Sequence, residues 1–229
     1  ELQAFYHFNA LSDPRLISET AEMVKGLPLI AMHGPFGDLN PGSFDPLVRE
    51  TAAKRIQQGF NAASHLGAKR IIFHDGRVPG AGPVAPWIER SVEFWKGFMK
   101  NISEDIHVYL ENMLEEGPEL LKDMLDQAEC PNLHANLDVG HAHCHSRTSA
   151  VKWIMTLRDR IGYVHLHDNH GKHDEHLGLG KGNIPLEDVC HALEEYAPHA
   201  FWALEAEENG IDESIDWLER KGFLTKNRE

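Results

Sequence analysis

The chain has 229 residues, 41% hydrophobic and 25% charged, with 22 Lys and Arg against 36 Asp and Glu and a net charge of −14. That composition is globular, and the length suits one domain over 1–229, a size at which α/β barrels occur as single domains. The acidity argues against a nucleic-acid partner, because such binding draws most of its affinity from Lys and Arg on phosphates. No apolar run approaches the roughly 18 residues of a membrane span. Cys130, Cys144 and Cys190 form no CxxC pair and read as thiols of a reducing compartment. Glu1-Leu2-Gln3-Ala4-Phe5 shows neither a basic n-region nor an h-region, so the expected location is cytoplasmic, and the missing initiator Met reads as a trimmed start.

A short strand is predicted over 2–5. Asp13-Pro14 then offers an N-cap followed by Pro at the first helical position, and Leu16, Ile17, Ala21 and Val24 form an apolar face closed by Gly26. Residues 27–32 read as a continuous apolar strand running into His33-Gly34-Pro35-Phe36. Asp45-Pro46 starts a second helix, in which Leu47, Ala52, Ile56, Phe60, Ala63 and Leu66 recur every few residues before Gly67. A strand over 70–73 ends in His74-Asp75-Gly76. A Gly/Pro-rich loop over 78–86 follows, and Ile88, Val92, Trp95 and Met99 mark the next helix face.

Residues 107–110 form a strand ending in Glu111-Asn112, and Gly117-Pro118 opens a helix carrying Leu121, Met124, Leu125 and Ala128. The strand over 133–137 runs into Asp138, and 149–158 is helical. Residues 163–166 carry His165, with a long polar loop from there to Gly182. A helix over 185–196, a strand over 201–204 ending in Glu205 and a helix over 211–221 complete the chain. Strands alternating with capped helices imply parallel βαβ units. The expected fold is therefore α/β, a TIM-type barrel with seven strand–helix units.

His33, His74, Glu111, Asp138, His165 and Glu205 each stand at the C-terminal end of a predicted strand. In a βα barrel those ends converge on the face that carries the active site. One such residue is ordinary scaffolding; six drawn from the metal-ligand alphabet point to a metal site. Oxygen and imidazole nitrogen without thiolate suit Zn, Mn, Fe, Co or Mg. His141 follows Asp138 by three positions and Asp174 precedes His176 by two, so these three could form a separate cluster at the mouth. Eight of the 16 histidines fall between 141 and 176, in what reads as a pair of His-rich loops.

The motifs His33-Gly34-Pro35, Phe73-His74, Leu110-Glu111-Asn112, Asp138-Val139-Gly140-His141, His165-Leu166-His167-Asp168, Asp174-Glu175-His176, Leu179-Gly180-Lys181-Gly182 and Leu204-Glu205 span the chain in order. Their succession resembles the xylose-isomerase-like TIM barrel superfamily, which holds sugar isomerases and epimerases together with the apurinic/apyrimidinic endonuclease IV family. That resemblance implies a central metal on Glu111, Asp138, His165 and Glu205. It implies a second position on His33 and His74 bridged by Glu111, and a third on His141, Asp174 and His176, hence one to three divalent ions. It also places residues 2–5 on the second strand of eight, leaving the first unit of the usual eight missing.

In the sugar-epimerase relatives two metal-bound Glu residues act as acid and base across the substrate, which here would be Glu111 and Glu205. The resemblance thus implies an isomerase or epimerase of a small sugar, keto-polyol or sugar phosphate, working through an enediolate. A three-metal phosphodiesterase of the endonuclease IV type is the main alternative; a metal-dependent dehydratase and a non-catalytic sugar-binding barrel are others. Two departures count against the nuclease: it usually has Thr-Cys-His where this chain has Val139-Gly140-His141, and Asn where this chain has His167. His167, Phe36 and Lys181 are the expected substrate contacts. The partner is a small sugar-like molecule, with neither nucleic acid nor membrane, and an oligomer is compatible with the sequence. The glycine-rich run around Lys181 could hold a phosphate at a helix N-terminus, although a tight turn is the simpler reading.

Overall fold

Both Asp-Pro pairs start a helix in the structure, a computed structural model that describes residues 1–3, 5 and 7–224. The fold is α/β and TIM-barrel-like: six parallel strands among the described residues, ordered as they occur in the chain, with helices between them. The chain divides into two compact units, residues 1–111 with 120–134, and residues 112–119 with 135 onward. No helix among the described residues is long and apolar enough to cross a membrane.

In the first unit, a short helix α1 (Phe8–Leu11) precedes α2 (Pro14–Val24), where the Asp13 carboxylate accepts the N–H groups of Arg15 and Leu16. Strand β1 (Ala31–His33) leads to α3 (Pro46–Leu66), capped by Asp45 at its start and by Gly67 in the left-handed conformation at its end. Strand β2 (Arg70–His74), helix α4 (Val84–Met99), strand β3 (His107–Glu111) and helix α5 (Glu119–Ala128) follow. The register pairs His33 with Ile72 and His74 with Glu111, so these polar ends stand side by side. Ile71, Ile72, Phe73, Val108 and Leu110 are buried, as strands covered on both faces require.

The second unit takes β4 (Leu133–Asp138), whose last four residues it contains, α6 (Val139–His145), α7 (Ala150–Leu157), β5 (Ile161–Leu166), α8 (Leu186–Tyr196), β6 (Phe201–Leu204) and α9 (Glu208–Lys221). Asp138 pairs with His165 in register, after a bulge between Ala135 and Asn136. Leu137, Val164 and Leu166 are fully buried, as are Trp153, Ile154 and Leu193 of the helices.

Four expectations change. Of residues 2–5, Leu2 makes an isolated parallel bridge to Met32, Ala4 lies outside the described residues, and no strand is formed over the described part. The strand expected from residue 27 begins only at Ala31, because Pro28 has no N–H to give a ladder and Leu27 and Leu29 face solvent. Helix α4 starts inside the expected 78–86 loop; Pro86 falls in its first turn, where a missing N–H is harmless. Finally, the His-rich run after Asp138 is a helix rather than a loop, with the Asp138 carboxylate accepting the His141 N–H at 2.6 Å.

Candidate metal centre

In the first unit, β1, β2 and β3 bring His33, His74 and Glu111 together, each offering a ligand atom within 4.8 Å of the others. His33 Nε2 lies 3.4 Å from Glu111 Oε2 and His74 Nε2 lies 3.7 Å from Glu111 Oε1, so each ring faces its own carboxylate oxygen. The Glu111 side chain is 1% exposed. His33 donates its Nδ1–H to the Gly34 carbonyl at 2.8 Å. A carbonyl only accepts, so the neutral ring carries its lone pair on Nε2, aimed at the carboxylate. Two electron-pair donors face each other there, an arrangement that a cation between them satisfies. Phe36 stacks on His74 at 4.4 Å and meets His33 edge-on at 5.4 Å, which closes one side of the cluster with an apolar ring.

The second unit gathers Asp138, His165 and Glu205, again with ligand atoms within 4.8 Å. His165 Nδ1 lies 2.9 Å from Glu205 Oε2 and 3.7 Å from Asp138 Oδ2. Asn112 holds the Asp138 backbone from both sides: its Oδ1 accepts the Asp138 N–H at 2.9 Å and its Nδ2 donates to the Asp138 carbonyl at 3.0 Å. Burial pushes the Asp138 carboxyl up, but the neighbouring His141 and His167, with hydrogen bonds from His165 and His167, outweigh it and hold the group well below the usual carboxylate range.

Beside this set stand His141, Asp174 and His176. His141 Nε2 and His176 Nε2 approach the same oxygen, Asp174 Oδ2, at 3.1 and 2.8 Å. Both rings donate Nδ1–H to backbone carbonyls, of Asn112 at 3.0 Å and Glu205 at 2.8 Å. Nε2 is again the atom presented. Burial opposes the hydrogen bonds from His141 and His176 that hold Asp174 low, while the hydrogen bond to Asp174 raises His176 to about 9 against its burial. The ligand atoms of His167, His176 and Glu205 also lie within 4.8 Å of one another.

Lys181 forms an ion pair with Glu213 at 3.1 Å on the surface. The glycine-rich run around it encloses a carboxylate of the chain itself: Asp168 accepts the N–H groups of Asn169, Gly180, Gly182 and Ile184 at 2.9–3.1 Å. Those donors are therefore taken, and the tight-turn reading of the loop stands. Sequence reasoning missed Asn112, Asp168 and Gly140 as organising residues. Asn112 was visible in the motif Leu110-Glu111-Asn112, and Asp168 in His167-Asp168, but their partners are backbone atoms that no spacing reveals. His143, His145, His170 and His173 lie outside these clusters; His143 contacts Asn183 and His170 contacts Glu175.

The model of the xylose isomerase-like TIM barrel family matches residues 6–221. The chain belongs to that family. Among its relatives, an uncharacterized protein of Methanocaldococcus jannaschii is 31% identical over 177 residues, 72% of this chain; the chain spans 60% of that relative's length. A protein of Mycobacterium ulcerans named "Probable endonuclease 4" is 26% identical over 220 residues, 91% of this chain and 84% of its own. The crystal structure of a D-tagatose 3-epimerase-like protein superposes with a TM-score of 0.83 at 24% identity, covering 96% of this chain and 87% of its own. That likeness shows the shared fold.

Proposed function

We propose that this chain is a metal-dependent isomerase or epimerase of a small sugar, keto-polyol or sugar phosphate. The observation that carries the reading is the convergence of Asp138, His165 and Glu205, a carboxylate–imidazole–carboxylate set with ligand atoms within 4.8 Å. Glu111, at the end of β3 with two imidazoles beside its oxygens, completes the ligand set that the family resemblance implies. The fit rests on donor chemistry: only oxygen and imidazole nitrogen are offered, and the Nε2 atoms of His33, His141 and His176 are the ones turned toward carboxylates. A bound divalent ion would polarise a substrate carbonyl and lower the acidity barrier at the adjacent carbon. Glu111 and Glu205 are the groups assigned to take the proton from that carbon and return it. Phe36, stacked on His74, offers an apolar face for the carbon side of a sugar ring. The seven strand–helix units expected from the sequence are kept as part of this reading, with the isolated Leu2–Met32 bridge as their support at the sheet edge.

The test is deuterium exchange. The full chain, loaded in turn with Mn²⁺, Co²⁺ and Zn²⁺, is incubated with a panel of ketoses in D2O and the carbon-bound protons are followed by NMR. Exchange that disappears in Glu111→Gln and in Glu205→Gln supports the reading. Absence of exchange on every ketose counts against it.

A second reading, a phosphodiesterase of the endonuclease IV kind, draws on the trio His141, Asp174 and His176 around one carboxylate oxygen and on the likeness to the mycobacterial protein. Cleavage of abasic DNA with three metals bound per chain would favour it.

A further inference from the structure

We infer that His167 is a positioning residue that fixes the Asp138 carboxylate in the orientation in which it would meet a metal, and that Gly140 is required to make room for it. The inference rests on the reading of Asp138 as a ligand.

Asp138 Oδ1 receives two donors, the His141 backbone N–H at 2.6 Å and the His167 Nε2–H at 3.1 Å. The same His167 Nε2–H lies 3.2 Å from Oδ2, which also faces His165 Nδ1 at 3.7 Å. The His167 N–H thus spans both oxygens and sets the tilt of the carboxylate plane, while the His141 N–H falls on Oδ1 alone. His167 has no freedom to do otherwise. Its side chain is 0% exposed, and its ring lies flat on His176 with centroids 4.2 Å apart and planes 16° apart.

The edge of the His167 ring fills the space where position 140 would carry a side chain. A Cβ on Gly140 would fall 1.9 Å from His167 Cε1 and 2.4 Å from Nε2, far inside contact distance. The backbone at 140 cannot back away, because its carbonyl accepts the Asn169 Nδ2–H at 3.1 Å. Position 140 and position 167 are thus one feature, built from two distant parts of the chain. They are also the places where the sequence leaves the nuclease pattern.

The test measures Zn²⁺ affinity of the metal-stripped full chain by competition with a chromophoric chelator, beside the Tm of each apo variant. His167→Asn, whose shorter amide falls short of Asp138, should lose about 10- to 100-fold in affinity, as loss of a group supporting a ligand does, while the apo chain, with a lower Tm for the lost buried ring, still melts cooperatively. His167→Gln, whose amide nitrogen reaches the place of Nε2, should recover most of that loss. Gly140→Ala should lose a similar factor, and the double variant Gly140→Ala/His167→Asn should be no weaker than the weaker single one. A folded His167→Asn within about threefold of the parent overturns the positioning role. An unchanged Gly140→Ala overturns the steric coupling, and if that variant does not fold, the Asn and Gln pair decides. A parent chain that binds no divalent ion would instead sink the metal reading itself.

Discussion

Asp168 holds the Gly182 N–H at 2.9 Å through one carboxylate oxygen, and that same oxygen takes the Gly180 N–H at 3.0 Å. The other oxygen serves Asn169 and Ile184. A single buried carboxylate thus gathers four N–H groups of the loop between β5 and α8, beside the backbone pair that Asp168 makes with Leu177. Asp168→Asn turns one oxygen into a donor that faces two N–H groups. Each buried unmet donor costs about 1–3 kcal/mol, so this variant should lose about 3 kcal/mol. Urea unfolding with an unchanged m-value and a lower midpoint would show it; an unchanged midpoint would refute it.

Metal removal should be visible in stability before it is visible in turnover. A ligand bound to the folded chain only, at about 100 times its Kd, adds about 2.7 kcal/mol, and about 2–4 °C of Tm follows each kcal/mol in a chain of this size. Dialysis against EDTA should therefore lower the Tm by about 5–10 °C, and Zn²⁺ or Mn²⁺ should restore it. A melting curve indifferent to chelator and to every added divalent ion would count against both proposed readings of the site.

The alkaline limb of the stability curve has identified sources. Burial, with the charges of Glu194 and Glu187, pushes the Cys190 thiol up to about 12 from 9.0. Burial likewise raises the Tyr109 hydroxyl to about 12 from 10.0, against the pull of Arg70. Both groups stay protonated in the folded chain while the unfolded chain releases their protons. The unfolded state binds fewer protons above pH 9, so stability falls as pH rises from about 9 toward about 12. Cys190→Ala should flatten the first part of that fall in a pH series of denaturation midpoints. Cys144, lifted to about 11 chiefly by burial with help from the Asp174 charge, should react slowly with thiol reagents at pH 8.

Asp45 accepts the Leu47 N–H at 2.8 Å and opens the 21-residue α3. Asp45→Ala should cost about 1 kcal/mol and leave metal affinity unchanged, since the cap and the strand ends are separate devices. A matching loss of metal affinity would show that they are coupled.

Much of this arrangement is legible in the sequence because two signals coincide. An apolar run marks each strand, and a residue of the metal-ligand alphabet stands at or next to its end, so His74, Glu111, Asp138 and His165 mark both a strand end and a candidate site. Asp-Pro pairs mark two helix starts for an equally local reason. Where one residue does two jobs, the reading fails. Asp138 is at once a carboxylate of the cluster and the N-cap of α6, and Val139-Gly140-His141-Ala142-His143-Cys144-His145 has no apolar period to betray a helix. The solvent-facing Leu27 and Leu29 mislead because their exposure is settled by tertiary contacts. Gly140 and His167 are unreadable as a pair, since nothing in a linear pattern shows that one ring fills another residue's missing side chain.

The three imidazoles His33, His141 and His176 are oriented by the carbonyls of Gly34, Asn112 and Glu205. Those acceptors are main-chain atoms, so no substitution at 34, 112 or 205 deletes them while the local backbone path is kept. The side chains around each ring can therefore change without turning that ring to its other nitrogen. The orientation of these three rings is thus a property of the backbone path, and it outlasts changes in the side chains around them.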